Sequence, residues 1–336
     1  MRESGLGKCG VEEGFAMKWS DKNVFVTGAT GLLGSWVCKK LVELGANVVA
    51  LERDTIPRSS FYLFGLNKEI SQVHGPLEDY LLVERTMNEY EINVCMHLGA
   101  QTIVGTANRS PLSTFEANVK GTWNVLEAAR NSKTIQAVVV ASSDKAYGGT
   151  KVPYVEEEGL AANHPYDVSK ACADMIAQSY FHTYGLPVGV TRCGNIFGGG
   201  DLNFSRIVPG TIRSILLNES PVIRSDGKMV RDYVYVEDIA SANLLLAEYL
   251  CNGKQKGEVF NFSMEQPQSV TEVVEKIGKM MGSSMPVKIG NTATNEILVQ
   301  YLSSKKARGQ LKWKPVWTFE SGLEKTIEWY KNYIRR

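Results

Sequence analysis

The sequence predicts an α/β fold in which a doubly wound parallel sheet carries a smaller mixed α/β lobe. Between residues 23 and 192, short runs of β-branched and apolar residues alternate with stretches of helical periodicity. After Gly194 this alternation breaks down, and the apolar runs become shorter and less regular. At 336 residues the chain is long enough for a main domain and a second, smaller one.

The first half of the chain predicts the large sheet. Its β-rich runs lie at residues 23–27, 47–51, 71–74, 94–98, 137–141 and 187–192. Helical periodicity occupies residues 32–44, 81–90, 114–131 and 166–184. Strands that alternate with helices in this way form a parallel sheet with helices on both faces.

The second half of the chain predicts shorter strands among helices. The helices are expected at residues 208–218, 239–250, 270–281 and 320–333. The strands are expected at residues 222–223, 233–236 and 259–262. We expect the run at 259–262 to return to the large sheet, and the remaining elements to form the smaller lobe.

The overall composition excludes several classes of protein. The chain has 37 basic and 36 acidic residues without a long run of one sign, so neither a nucleic-acid partner nor a membrane surface is predicted. Six scattered cysteines indicate reduced thiols and a cytoplasmic location, and four scattered histidines predict no metal site. No apolar run is long enough for a membrane helix. Residues 1–16 lack the apolar core of a signal peptide, and we expect them to be a disordered extension.

A glycine-rich turn follows the first predicted strand. Gly28, Gly31 and Gly34 have the spacing that lets a backbone approach a pyrophosphate at the N-terminus of a helix. The next strand is followed by Glu52, whose carboxylate is suited to accept hydrogen bonds from the ribose of adenosine. This order predicts a dinucleotide cofactor. NAD is favoured, and Arg53 keeps NADP open as an alternative because a guanidinium can bind a 2′-phosphate.

This cofactor site divides the chain into two parts. We predict a Rossmann dinucleotide-binding domain over residues 17–193, to which residues 233–262 return. Residues 194–232 and 263–336 are predicted to form a substrate-binding lobe.

A second group of reactive side chains follows the predicted strand at 137–141. Ser143 and Asp144 come just after that strand ends, and Tyr166 and Lys170 share one face of a predicted helix. A nearby ammonium is expected to lower the pKa of Tyr166 toward the working pH. Tyr166 would then take a hydroxyl proton while a hydride leaves the same carbon. Since a Tyr-x-x-x-Lys pair is common, only its combination with the nucleotide turn and the polar strand end favours catalysis.

Together the motifs resemble the extended short-chain dehydrogenase/reductases of the nucleotide-sugar epimerase and dehydratase class. The matching segments are residues 27–34, 97–101, 118–127, 142–148, 166–170, 192–198, 231–238 and 306–315. The resemblance implies cofactor contacts at Thr30, Leu32, Leu33, Leu77, Leu98, Ala100, Gln101, Asn118, Tyr166 and Lys170. It also implies a homodimer in which the helices at 113–131 and 166–184 form a four-helix bundle with those of the partner.

Within this class, the residues after Ser143 distinguish two reactions. Epimerases usually carry a small residue there, whereas 4,6-dehydratases carry an acidic residue followed by Glu or Lys. The run Ser143-Asp144-Lys145 is similar to that of the CDP-glucose 4,6-dehydratases. The resemblance implies that Tyr166 and Ser143 act at C4 of the sugar, that Lys145 removes the C5 proton and that protonated Asp144 assists loss of the 6-hydroxyl. Burial is expected to keep Asp144 neutral and Lys145 less basic, and their mutual attraction opposes both changes.

Two alternative functions stay open. Asp144 and Lys145 can instead form a salt bridge in the site of a UDP-sugar 4-epimerase. Asp232, which follows Arg231, is typical of epimerases and of other dehydratases, and it speaks against CDP-glucose as the substrate. A non-catalytic NAD(P)-sensing regulator is the alternative from a different class of protein. The complete proton-transfer set around Tyr166 argues against it.

The resemblance also implies which residues bind the substrate, a nucleotide-diphosphate sugar. Asn195 and Arg231 match residues that meet the sugar diphosphate, a fitting role for a planar and permanently charged guanidinium. Arg206 is expected near the nucleotide base. Gln101 and Ser143 complete the predicted substrate-binding set.

Overall fold

The computed structural model describes residues 17–291 and 297–335, so the predicted extension at residues 1–16 lies outside the described residues. Its strands are β1 Asn23–Thr27, β2 Asn47–Glu52, β3 Ser71–His74, β4 Val94–His97, β5 Ala137–Ala141, β6 Val188–Cys193, β7 Asn195–Phe197, β8 Val222–Ile223, β9 Val230–Arg231, β10 Tyr233–Tyr235, β11 Val259–Phe262, β12 Gln268–Ser269, β13 Lys288–Ile289 and β14 Val299–Gln300.

The helices lie mainly between the strands of the large sheet and around the smaller lobe. They are α1 Leu32–Glu43, α2 Ser60–Leu63, α3 Tyr80–Glu89, α4 Val104–Arg109, α5 Pro111–Phe115, α6 Gly121–Asn131, α7 Pro165–Tyr184, α8 Ile207–Leu216, α9 Val236–Cys251, α10 Val270–Met280, α11 Lys305–Gln310 and α12 Phe319–Ile334. A π-helical turn, Glu116–Lys120, joins α5 to α6, and a 3-10 helix, Asp144–Tyr147, follows β5. None of the helices described is both long and apolar enough to cross a bilayer.

Seven parallel strands form the large sheet, in the order β11-β6-β5-β4-β1-β2-β3. The predicted doubly wound parallel sheet is confirmed. Successive residues of β1 belong to different cores: Val24 and Val26 pack in one hydrophobic layer and Phe25 in the other. Both faces of the sheet are therefore covered, which explains why the sequences of its strands are nearly continuous apolar runs. The order of strand addition reverses beside β1, and ligands bind at such a point outside the carboxyl ends of the strands.

Smaller sheets form the second part of the fold. β7 pairs with β10, β8 pairs with β13, and β9 lies between β12 and β14. The chain returns to the large sheet through α9, which packs against α1, and through β11, which pairs with β6. Residues 233–235 belong instead to the two-stranded sheet with β7. This arrangement brings the short β9 and β14 strands toward the end of β5.

Candidate active site

The turn between β1 and α1 approaches the end of β4 closely. Gly28 has a φ of 70°, and a Cβ built on it would lie 2.7 Å from Gly99 Cα. A Cβ on Gly34 would lie 2.0 Å from the Gly28 carbonyl oxygen. Gly31 precedes α1 and offers no side chain to cap it, so the first N–H groups of the helix are available to an anion. The turn thus has the close packing and the free donors that a pyrophosphate site needs.

The two residues predicted to choose between NAD and NADP differ in their surroundings. Glu52 ends β2, is almost fully buried, and accepts hydrogen bonds from Tyr62 Oη at 2.8 and 2.9 Å. Arg53 is exposed, and its Nε donates to Asp54 Oδ2 at 2.6 Å. A 2′-phosphate at Arg53 would have to compete with that carboxylate, so this surface favours the unphosphorylated ribose of NAD.

His97 joins the ends of β1 and β4 and is structural. Its Nδ1 lies 2.9 Å from Thr27 Oγ1, and its Nε2 lies 2.9 Å from Thr122 Oγ1. Thr27 Oγ1 already accepts two backbone N–H groups, so its own proton goes to Nδ1 and the ring carries its proton on Nε2. Burial, with a smaller contribution from the charge of Lys170, lowers the pKa of His97 to about 3. The ring is therefore neutral at physiological pH.

Asn118 connects the loop after β4 to α7 through hydrogen bonds. It lies in the π-helical turn and is almost fully buried. Its Oδ1 accepts from Gln101 N at 2.6 Å, while its Nδ2 donates to Gln101 O at 3.0 Å and to Ser169 Oγ at 2.8 Å. Ser169 in turn donates to the carbonyl of Tyr166. The loop that carries Leu98, Ala100 and Gln101 is thereby held beside the start of α7.

The remaining predicted cofactor residues lie at the same end of the sheet. Leu77 faces Gly99 and Gly121 so closely that a Cβ on either glycine would come within 3.0 Å of it. Thr30, Leu32 and Leu33 belong to the turn before α1 and to the first turn of that helix.

Ser143, Asp144 and Lys145 form a compact group where β5 ends. Ser143 Oγ donates to Asp144 Oδ1 at 3.1 Å and accepts from Lys145 N at 3.2 Å. Burial raises the pKa of Asp144, and the charge of Lys145, the Ser143 hydroxyl and the charge of Arg231 oppose that rise. Lys145 Nζ donates to Gln300 Oε1 at 3.3 Å. Lys145 therefore contacts the smaller lobe and also acts electrostatically on Asp144.

Tyr166 lies in the first turn of α7, close enough to Ser143 for that hydroxyl to act on the phenol. The prediction that a nearby ammonium lowers the pKa of Tyr166 is wrong. Burial raises the pKa of Tyr166 to about 12, and the charge of Arg206 and the Ser143 hydroxyl only partly oppose the rise. Lys170 lies one turn further along, where its Nζ donates to the carbonyl of Ala141 at 2.5 Å. Burial lowers the pKa of Lys170 to about 8, against the attraction of Asp174 and Cys193.

Three predicted substrate residues lie within residues 194–232, and two of them act electrostatically on Tyr166 or Asp144. Asn195 Nδ2 is buried and has no hydrogen-bond partner in the described part of the chain. Arg206 pairs with Asp201 at 2.9 Å and is close enough to Tyr166 for its charge to act on the phenol. Arg231 is buried, donates to the carbonyls of Val230 and Leu298, and acts electrostatically on Asp144. The structure therefore places Arg206 within electrostatic reach of Tyr166.

Comparison with known proteins identifies the family. The sequence model of the NAD dependent epimerase/dehydratase family matches residues 24–262. The chain belongs to this family. A curated relative, the CDP-glucose 4,6-dehydratase of Salmonella typhimurium, is 30% identical over 334 residues, which cover 94% of this chain and 92% of the relative. The resemblance inferred from the motifs is confirmed.

Solved structures of the family include enzymes of both reaction types. A UDP-glucose 4-epimerase from Thermotoga maritima, crystallised with UDP-glucose, has a TM-score of 0.85 and 28% identity, covering 93% of this chain and 99% of that one. A dTDP-glucose 4,6-dehydratase from Bacillus anthracis in complex with NAD has a TM-score of 0.82 and 27% identity, covering 93% and 97%. Similarity of fold therefore does not choose between epimerisation and dehydration.

The glycine turn fits the cofactor that the family name specifies. A side chain at Gly28 or Gly34 would collide with the backbone of Gly99 or Gly28 and displace the turn before α1, and Glu52 ends the next strand. The sequence predicts NAD as the favoured cofactor, and the family assignment confirms NAD.

Gln300 is the residue of this site that sequence reasoning missed. It belongs to a strand of two residues, which is too short to show a period of alternation. It also lies far along the chain from Lys145, and no motif links the two positions. Only the folded structure brings them together.

Proposed function

We propose that this protein is a nucleotide-sugar 4,6-dehydratase, a hydro-lyase that converts an NDP-hexose into an NDP-4-keto-6-deoxyhexose, with CDP-glucose as the favoured substrate. The observation that carries the proposal is Asp144, a buried carboxyl group whose pKa is raised by desolvation. Elimination of a hydroxyl group needs an acid that still holds its proton at working pH. An epimerase has no use for such a group at this position.

The first step acts at C4 of the sugar. Bound NAD supplies a hydride acceptor for C4 and a hydride donor for C6. Tyr166 is a phenol at rest because its pKa is raised to about 12, so the phenolate must form as the site fills. The charge of Arg206 and the Ser143 hydroxyl already favour the phenolate. Ser143 orients the 4-hydroxyl, and Tyr166 takes its proton as C4 becomes a ketone.

The second step removes one water. A ketone at C4 acidifies the proton on C5, which Lys145 takes. Asp144 gives its proton to the departing 6-hydroxyl, and the C5–C6 double bond forms as water leaves. A proton returned to C5, with a hydride at C6 that bound NAD would supply, would complete the 4-keto-6-deoxy product. Asp144 and Lys145 are adjacent in sequence and both reach the end of β5, as this pair of proton transfers requires.

The substrate-binding lobe, in this proposal residues 194–232 and 263–336, holds the nucleotide diphosphate. Asn195 has a buried amide donor without a partner in the described residues, which supports a role in binding a phosphate oxygen. The guanidinium group of Arg231 supplies charge that a diphosphate requires, and Arg206 is proposed to lie near the nucleotide base. Gln101 and Ser143 contact the sugar itself.

A UDP-sugar 4-epimerase is the second candidate. It would share the fold, NAD and Tyr166 with the dehydratase, and the Thermotoga maritima epimerase is as similar in fold as the dehydratases are. Asp144 and Lys145 would then have no chemical role. The contact of Lys145 with Gln300 argues against the salt bridge that would make the pair inert.

One experiment separates these functions. The purified protein is incubated in turn with CDP-, dTDP-, UDP- and GDP-glucose, and the products are analysed by mass spectrometry. Loss of one water from one of the nucleotide sugars supports the dehydratase, and the most rapidly consumed substrate identifies the nucleotide. Inversion at C4 without a change in mass supports the epimerase. Inertness toward all four, with NAD still bound, favours a regulator.

We also propose that the protein is a homodimer. The helical stretch formed by α5, the π-helical turn and α6 packs against α7, and both expose large apolar side chains. Leu112 is 71% exposed, Trp123 44% and Met175 62%. Burial of such a surface against a second copy fits the four-helix bundle of the family resemblance. Light scattering should give the mass of a dimer for the wild type and that of a monomer for a Trp123→Glu/Met175→Glu variant.

A cytoplasmic location completes the proposal. The five cysteines in the described residues are free thiols, and three of them are buried: Cys38, Cys95 and Cys193. Free buried thiols are typical of proteins in a reducing compartment. Fractionation of cells that express the native chain tests this location.

A further inference from the structure

Three long polar side chains form a row across the three-stranded sheet of the smaller lobe. Arg231 in β9 is in register with Gln268 in β12 on one side and with Gln300 in β14 on the other. Residues in register on neighbouring strands project from the same face of a sheet. We call these three residues the Gln–Arg–Gln row.

The Gln–Arg–Gln row faces the group at the end of β5. Gln300 Oε1 lies 3.3 Å from Lys145 Nζ, and the charge of Arg231 acts on Asp144. The two residues on which elimination depends are thus each approached by a member of the row. Gln300 is fully buried, so its contact with Lys145 is shielded from water.

The contact with Lys145 determines how the Gln300 amide is oriented. An ammonium group can only donate hydrogen bonds, so the amide oxygen must face it and the amide nitrogen must point elsewhere. That nitrogen, Gln300 Nε2, is buried and has no partner among the residues that the structure describes. Gln268 Oε1, at the other end of the row, is likewise buried without a partner there. Because buried amide groups are nearly always satisfied, these two atoms indicate a bound group that completes them.

We propose that Gln300 is the positioning residue for the elimination step: its carbonyl oxygen holds Lys145 Nζ, and its amide nitrogen donates to an oxygen of the bound hexose. This inference rests on the proposed dehydratase function and goes beyond it by naming what aligns the base. A single rigid amide then fixes the distance between the base and the sugar. Such alignment matters because a misplacement of about 1 Å can cost a proton transfer about a hundredfold in rate.

A neutral amide suits this role better than a carboxylate. Glutamate at position 300 would attract the Lys145 ammonium strongly and would keep its proton in place, which opposes removal of the C5 proton. Glutamine accepts the same hydrogen bond without adding charge. The amide also supplies a donor to the substrate that a carboxylate lacks.

The test separates the two half-reactions in variants of Gln300. Gln300→Met removes both hydrogen-bonding atoms at similar volume, and Gln300→Glu keeps only the acceptor. Gln266→Met is the matched control, because Gln266 lies in the segment just before β12 and has an exposed side chain. Cofactor absorbance in a single turnover reports oxidation at C4. Exchange of the C5 proton with D₂O and loss of water report the elimination.

We expect Gln300→Met to oxidise C4 within about twofold of the wild-type rate and to exchange the C5 proton about a hundredfold more slowly, with a raised KM. Gln300→Glu should reach its half-maximal exchange rate about one pH unit higher than wild type. Gln266→Met should match the wild type in both half-reactions.

Several outcomes would overturn the proposal. If Gln300→Met exchanges the C5 proton at the wild-type rate, Gln300 has no role in the elimination. If C4 oxidation in Gln300→Met slows as much as C5 exchange does, Gln300 supports the structure in general and does not position the base. If Gln300→Met does not fold, the pH profile of Gln300→Glu decides, and an unchanged profile counts against the role. Absence of water loss in the wild type would reject the dehydratase function itself, and the role of Gln300 with it. Normal water loss in wild type and variants alike rejects this inference alone.

Discussion

The two sides of the active site are built in different ways. On the large sheet, the reactive groups belong to short contiguous runs, such as Ser143 to Lys145, where Ser143 Oγ itself binds Lys145 N. On the smaller lobe, the Gln–Arg–Gln row is assembled from three strands that lie far apart along the chain. In the proposed mechanism, the large sheet carries oxidation at C4, and the contact between the lobes controls the elimination that follows.

The largest effect is expected for Tyr166→Phe, on the large-sheet side. Without the phenolic hydroxyl, no group at that position can take the C4 hydroxyl proton, and turnover should fall about a thousandfold. Both oxidation and elimination should be lost, since the second depends on the first. The measurement is the rate of cofactor reduction in a single turnover, with NAD affinity as the control. Retention of more than about a tenth of the wild-type rate would exclude Tyr166 as the base.

A smaller and more selective effect is expected for Asp144→Asn. The amide cannot give a proton to the leaving hydroxyl, so water loss should slow about a hundredfold while C4 oxidation continues. Reduced cofactor should therefore accumulate on the enzyme. In the wild type, elimination should weaken as pH rises through the raised pKa of Asp144, because only the protonated form is active. The rate of elimination in Asp144→Asn should not show this decrease at high pH. If the decrease remains unchanged in the variant, a group other than Asp144 causes it.

The third prediction concerns the glycine turn of the large sheet. Gly34→Ala would place a Cβ 2.0 Å from the Gly28 carbonyl oxygen, and backbone must shift to relieve the clash. We expect NAD affinity to fall about tenfold, equivalent to about 1.4 kcal/mol of binding free energy. Gly159→Ala is the matched control, because a Cβ there would have no atom within 4 Å. Calorimetric titration with NAD measures both, and equal affinities would show that the turn does not bind the cofactor.

The smallest effect concerns His97, which joins the ends of β1 and β4, and is an effect on stability. His97 in the folded protein takes up a proton only near pH 3, whereas the unfolded residue does so near its ordinary pKa of 6.5. Between these values the unfolded chain binds more protons. The free energy of unfolding should therefore fall with falling pH, by at most about 1.4 kcal/mol per unit for this group. Urea denaturation between pH 7 and pH 4 measures the slope, and His97→Asn should make it shallower.

Much of the large-sheet side could be predicted because local chemistry determines it. The strands ending at Thr27 and Ala141, the glycine turn and the acidic residue Glu52 all have local signals in residue type and spacing. The prediction that failed concerned the pKa of Tyr166. It considered the charge of Lys170 but not the burial of the phenol, which depends on the folded packing around the start of α7.

The doubly wound sheet and the dinucleotide turn could be predicted from residue type and spacing, since each depends on residues close together in the chain. The groups that face one another across the two lobes are known only from the folded structure. It turned Lys145 toward Gln300 and brought Arg231 within electrostatic reach of Asp144. Strands of two residues have no periodicity of their own, and their register is determined by pairing partners distant in sequence.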